Sequence, residues 1–325
     1  MAAPKVSIVM PAYKAAGFIA LAIASVRAQT LQDWELIIVD DCSPDDTADV
    51  AMAAAGGDPR IKLVRAEKNG GVARARNLGS AQAVGEWIAV LDSDDAYEPT
   101  RLETLVSAAE AAELDLIADD MRLVPFEDIT ADGPPYLGRE SSGLEPVDLA
   151  TWLDGNRAGV RTPLLGYLKP IVRREFVLQH KISYVPELKV AEDCWFVADL
   201  LASGARFALH PAPLYRYAIR PASLSRTRGD NVYSYQQSVY APFRQRHEGR
   251  LSAASLRALR RHESASRNAE AFEGFAIALR ARNFGQALGW IMGRPQAAVY
   301  FMQPVRARIE RLAKRLGYRP GLRVS

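Results

Sequence analysis

Four times in its first 112 residues the chain sets a short apolar run ahead of a helical pattern, and this alternation constrains the fold more than any other feature. Val6 to Met10 precedes Ala15 to Ala28, where Phe18, Leu21, Ala22 and Val26 recur at helical spacing. Leu36 to Val39 precedes Ala48 to Ala55, Ile61 to Val64 precedes Val72 to Val84, and Trp87 to Leu91 precedes Leu102 to Ala112. Strands that are apolar throughout must be covered on both faces, and the intervening helices supply the cover. The expectation is an α/β fold, a Rossmann-like and mostly parallel sheet flanked by helices, with right-handed crossovers. Ligands of such sheets bind at the carboxyl ends of the strands, so function is read from the residues just beyond each strand.

After the first strand comes Pro11-Ala12-Tyr13-Lys14. It lacks the glycines that bring a backbone against a pyrophosphate, which excludes a dinucleotide-binding turn and a P-loop there. Acidic clusters come after the second strand (Asp40-Asp41-Cys42-Ser43-Pro44-Asp45-Asp46) and the fourth (Asp92-Ser93-Asp94-Asp95). In extended geometry Asp92 and Asp94 point to one side, and a turn could bring Asp95 to join them. Carboxylates crowded at a strand edge repel one another, and a hard divalent cation, Mg²⁺ or Mn²⁺, resolves the repulsion while keeping coordination sites for water and substrate phosphates. The same residues also serve as turn formers and helix caps. Asp41 has both readings too, as cap chemistry or as an acceptor for nucleoside hydroxyls or a base N–H.

Charge divides the chain. Residues 244–325 hold 17 Lys+Arg against 5 Asp+Glu, which leaves 24 against 33 for residues 1–243 within an overall +3. From about Asn231 the pattern is helical, and Val305, Ile309, Leu312 and Leu316 form a stripe with arginines on the other faces. Such a helix suits an anionic membrane surface, with Trp290, Tyr300 and Phe301 near the headgroups. It equally suits packing on the rest of the protein, with solvated arginines. The charge alone is no nucleic-acid module, and none is expected as a partner. No apolar run approaches the roughly 18 residues of a spanning helix. Two cysteines, Cys42 and Cys194, and an N-terminus without secretory character point to a reduced, cytoplasmic protein, peripheral on the inner face of the cell membrane if the tail docks there.

Five ordered blocks then resemble the family 2 glycosyltransferases, inverting enzymes of the GT-A fold found in bacterial polysaccharide and glycolipid biosynthesis. They are Val6 to Tyr13, Gln29-Thr30, Trp34 to Ser43, Asn69 to Gly79 and Gly85 to Asp95. The resemblance implies a GT-A domain over residues 1–225 and a basic helical extension over 226–325. It implies a nucleotide-sugar donor, most simply a UDP-sugar, and a carbohydrate or lipid-linked acceptor. Pro11, Ala12, Tyr13 and Asp41 would lie against the uridine, and Asn69 and Arg74 would flank the nucleotide, though Arg74 and Arg76 equally suit solvated helix positions. Asp92 and Ser93 would face the ribose, with Mg²⁺ or Mn²⁺ held by Asp92 and by Asp94 or Asp95. The resemblance also supplies a base: Asp193, supported by Glu192, at the start of a helix facing the donor. That acidic pair would by itself favour a helix dipole. Arg220, Ser223 and Ser225 match a segment that closes over the diphosphate, and arginine and hydroxyl donors suit phosphate oxygens. They also fit a plain surface loop. His210 stands near a third metal position of some GT-A enzymes, though a His before Pro is more often structural. Two short strands are expected between Phe207 and Tyr217, and acceptor recognition is expected in residues 112–190.

Two rivals bear on function. A sugar-nucleotide pyrophosphorylase would want a glycine-rich basic loop where Pro11-Ala12-Tyr13 stands, and a non-catalytic binder would not need both the acidic triplet and Glu192-Asp193.

Overall fold

A computed structural model describes residues 3–139, 142–160, 162–219 and 232–301. Arg220, Ser223, Ser225 and the 305–316 stripe lie outside the described residues. The first unit runs β1 (Val6–Ala12), α1 (Ile19–Arg27), β2 (Trp34–Asp40), α2 (Thr47–Ala55), β3 (Ile61–Arg65), α3 (Val72–Gln82) and β4 (Trp87–Val90). β1, β2 and β4 are buried at every position, as strands covered on both faces must be. α1 turns Ile19, Ala22, Ile23 and Val26 inward, the set its spacing predicts. Gly56, in the left-handed region at φ 58°, ends α2.

The chain continues through β5 (Ala96–Tyr97), α4 (Arg101–Ala111), β6 (Leu116–Pro125), β7 (Glu145–Pro146), α5 (Leu149–Gly155), β8 (Ile171–Arg173), α6 (Arg174–His180), α7 (Glu192–Ala202) and β9 (Phe207–Ile219). One sheet results, in the order β3-β2-β1-β4-β8-β6-β9-β5, with β7 on β9. β3, β2, β1 and β4 run parallel, and β8 lies antiparallel between β4 and β6. The region from Phe207 is one strand, not the two short ones its prolines suggest. A register shift from the Asp119–His210 pair to the Asp120–Pro213 pair absorbs Pro211 and Ala212 as a bulge beside β6.

α8 (Val232–Arg246), α9 (Ala253–Arg280) and α10 (Phe284–Gly293) complete the described chain. Ser252 caps α9 by accepting the Ser255 amide. Trp195 of α7 packs edge-on against Tyr240, Phe243 and His262, so α8 and α9 share the main core. Asp199 accepts from His247 at 2.5 Å and pairs with Arg246 at 2.8 Å, and Arg261 pairs with Asp154. Among the described residues no helix is long and apolar enough to cross a membrane.

Candidate active site

The carboxyl ends of β1, β2 and β4 gather the residues singled out above. Pro11 and Ala12 close β1 in the interior, while the Tyr13 ring stands 45% exposed. Asp41 comes directly after β2, its carboxylate accepting the Gly70 and Gly71 amides at 2.8 Å each, and Asn69 donates to the Asp41 carbonyl. The second acidic strand end thus anchors the loop that leads into α3. Lys14, Cys42 and Ala191 take positive φ without being glycine, and they adjoin Tyr13, Asp41 and Glu192. Strain of this kind, about 1 kcal/mol or more per residue, persists where surrounding structure over-determines the backbone.

α3 decides which arginine matters. Arg74 is exposed and lies over Gly70, whereas Arg76, buried at 1%, points into the molecule. Its guanidinium donates to Asp92 at 2.7 Å, Glu192 at 2.8 Å and Asp193 at 2.5 Å. Lys169 closes the ring from the other side, at 2.7 Å from Asp193 and 3.1 Å from Asp92. Arg101 holds Lys169 in place: it donates to the Lys169 carbonyl at 2.6 Å while fully buried against Asp119. Asn77, next to Arg76, exchanges two hydrogen bonds with the Tyr184 backbone, and the Tyr184 ring stacks on Phe196 of α7. The D-x-D turn and the N-terminus of α7 are thereby bound into one charged assembly.

Its electrostatics come from burial and partners. Burial alone would raise the Asp92 carboxyl, but Lys169 and Arg76 hold it well below the usual carboxylate range. Burial would lower Lys169, yet Asp193 and Asp92 push its ammonium well up. Glu192 is raised, by burial first and then by its neighbour Asp193.

The three acidic residues read as metal ligands, Asp92, Asp94 and Asp95, differ in their surroundings. The Asp95 amide bonds the Asp92 carbonyl, so the segment is a tight turn and not an extended one. Asp95 is 3% exposed and accepts from the Tyr215 hydroxyl and the Ala218 amide. Burial, then Asp94 and Asp92, raise it well above the usual range. Asp94 is half-exposed and Ser93 is buried at the same turn. Among the described residues no three His, Cys, Asp or Glu side chains converge to hold an ion unaided. Half-exposed Asp94 could supply one carboxylate to a Mg²⁺-like cation, whose shell water and donor phosphates would complete. His210 stands instead opposite Asp119 in the β6–β9 ladder, accepting the Ala212 amide.

Sequence reasoning singled out Asp92, Glu192 and Asp193, which the structure brings together, and expected a helix over residues 72–84, which carries Arg76. It missed Lys169 and Arg101. Lys169 sits in a stretch without periodicity, and its one signal was a lysine just ahead of a short apolar run, Ile171-Val172.

The profile of Glycosyl transferase family 2 matches residues 7–137, the stretch that carries Tyr13, Asp41, Arg76 and the acidic turn. Succinoglycan biosynthesis protein ExoO of Rhizobium meliloti is 33% identical, over 96% of this chain and 88% of its own length. Among solved structures, TarS of S. aureus in complex with UDP-GlcNAc aligns with a TM-score of 0.61 at 19% identity, covering 90% of this chain and 92% of that one. The mannosyltransferase PcManGT from Pyrobaculum calidifontis, in complex with GDP-Man and Mn²⁺, aligns at 0.55 and 18% identity, covering 94% and 83%. A mostly parallel sheet carrying this charged edge is a GT-A fold. The chain belongs to glycosyl transferase family 2 and is a glycosyltransferase.

Proposed function

We propose that the protein moves one sugar, with inversion, from a UDP-sugar to a hydroxyl of a carbohydrate or lipid-linked oligosaccharide during assembly of a bacterial polysaccharide. The observation that carries this reading is the ring in which Arg76 and Lys169 tie the acidic turn to Asp193 and Glu192. ExoO is named for polysaccharide biosynthesis and TarS carries a UDP-sugar, and both support the choice of donor and pathway class.

In this reading Tyr13 and Asp41 receive the uridine, and Asn69 holds their loop. Exposed Arg74 reaches toward the nucleotide's edge, and Asp92 and Ser93 face the ribose. Asp94 holds Mg²⁺ or Mn²⁺, which when bound offsets charge on the departing diphosphate. Asp193 takes the proton from the acceptor hydroxyl as its oxygen attacks the anomeric carbon, and the bond to the nucleoside diphosphate breaks on the opposite side. Both Asp193 oxygens already accept a cationic donor, and each retains a second lone pair for that proton. Glu192 shares Arg76 with Asp193 and so fixes its direction. Arg220, Ser223 and Ser225 are assigned to the diphosphate, and the basic C-terminal helices to an anionic membrane surface that presents a lipid-linked acceptor.

Calorimetric binding of UDP, GDP and dTDP, each with Mn²⁺ and with EDTA, tests the donor half. Metal-dependent binding selective for UDP is expected, and binding of GDP in its place would overturn the uridine assignment. Asp94→Asn should weaken the Mn²⁺-dependent binding at least about tenfold, whereas Asp193→Asn should leave binding intact and remove transfer. Near-normal turnover in Asp193→Asn would refute the assignment of the base.

A further inference from the structure

α10 is a ten-residue helix without a charged side chain, and of its residues only Ala287 is buried. It docks by one side: Trp290 lies so close to α9 that a Cβ on Gly274 would meet its indole. The other side carries Phe284, Leu288 and Met292, 67%, 59% and 70% exposed, spaced four residues apart and therefore along one line of the helix. Leu279, in the last turn of α9, is 45% exposed. Large apolar side chains aligned on a surface mark a contact face.

The charge around this face identifies the occupant. Arg280 and Arg282 are exposed where α9 passes to α10, next to Phe284 at the start of that line. The chain beyond Phe301, residues 302–325, holds seven Lys+Arg and one Glu. A surface that is apolar inside and anionic at its rim fits both features, whereas a soluble sugar would use neither.

We propose that α10 is a membrane-inserting element, with Phe284, Leu288 and Met292 entering the apolar boundary of an anionic bilayer and the arginines remaining at its phosphates. The proposal rests on the membrane association inferred above and narrows it to one helix face.

The test uses the full chain and vesicles of phosphatidylcholine with or without phosphatidylglycerol, at low salt. Co-sedimentation with the anionic vesicles is expected. It should fall at least about tenfold in a Phe284→Ser, Leu288→Ser, Met292→Ser variant that binds UDP as the parent does. UDP binding keeps failure of this proposal distinct from failure of the glycosyl-transfer reading and from misfolding. Brominated lipids should quench Trp290, since Trp34, Trp87, Trp152 and Trp195 are each at most 2% exposed. Absence of anionic-vesicle binding by the parent would overturn the proposal. So would undiminished binding by the variant, which would move the contact to residues 302–325. A dimer lost in the variant without any change in vesicle binding would assign the face to a second copy and also overturn it.

Discussion

At the scale of single residues, Lys169 carries the most consequence. It is one of two buried cations that hold Asp92 and Asp193, and removing one partner of a buried ion pair leaves charge uncompensated. Lys169→Met should therefore cost about 3 kcal/mol of stability by denaturant titration. It should also lower kcat on the order of a hundredfold, with a smaller rise in the donor KM because Lys169 also pairs with Asp92, the residue assigned to the ribose. A loss confined to KM would show that Lys169 serves donor binding and not the geometry of Asp193. Asp95 differs from its neighbours for a comparable reason. Its carboxylate accepts from the Tyr215 hydroxyl and the Ala218 amide, which ties the acidic turn to β9.

At the scale of elements, the contact of α3 with the sheet sets the reach of Arg76. Gly79 makes that contact close: a Cβ there would stand 2.4 Å from the Val9 side chain and 3.1 Å from that of Val39. Gly79→Ala must push α3 away from β1 and β2. Overpacking of this kind costs about 1–3 kcal/mol, readable as a lowered thermal midpoint. Turnover should fall with it, since Arg76 lies one helical turn before Gly79 and spans the gap to Asp92, Glu192 and Asp193. Unchanged stability and activity would mean that the strands yield and α3 keeps its place.

At the scale of the whole molecule, the basic helices and the sheet share one core, and His262 sits where they meet. Its ring lies against Trp195, and it exchanges a 2.8 Å hydrogen bond with the Tyr240 hydroxyl. Burial lowers its pKa from 6.5 to about 4. The native ring is thus neutral where the unfolded one takes a proton. The stability it contributes is present above pH about 6.5 and is lost as pH falls toward about 4, by up to about 3 kcal/mol. Denaturant titrations at pH 7, 5 and 4 should show this decline and should show it flattened in His262→Gln. An equal decline in both would place the acid sensitivity elsewhere, Asp92 and the other depressed carboxylates titrating at lower pH still.

The sequence by itself determined the strands, the helices between them, the acidic ends of β2 and β4, and the Glu192-Asp193 start of α7. Each of these is local: periodicity reports burial over a few residues, and acidic clusters at strand ends need no partner to be seen. Only the tertiary structure decided which groups meet. Arg74 and Arg76 are two residues apart on one helix, so they point in widely different directions, and packing of α3 on β1 chose the second for the interior. Lys169 reaches Asp92 because antiparallel β8 slots between β4 and β6, a pairing three residues long that carries almost no pattern. Asp95 turns inward because β5 pairs with β9, which lies more than a hundred residues later in the chain. Periodicity tells which face of an element is buried. What lies across from that face depends on chain closure over long separations, where the free energy comes from packing the whole sheet and not from any segment of it.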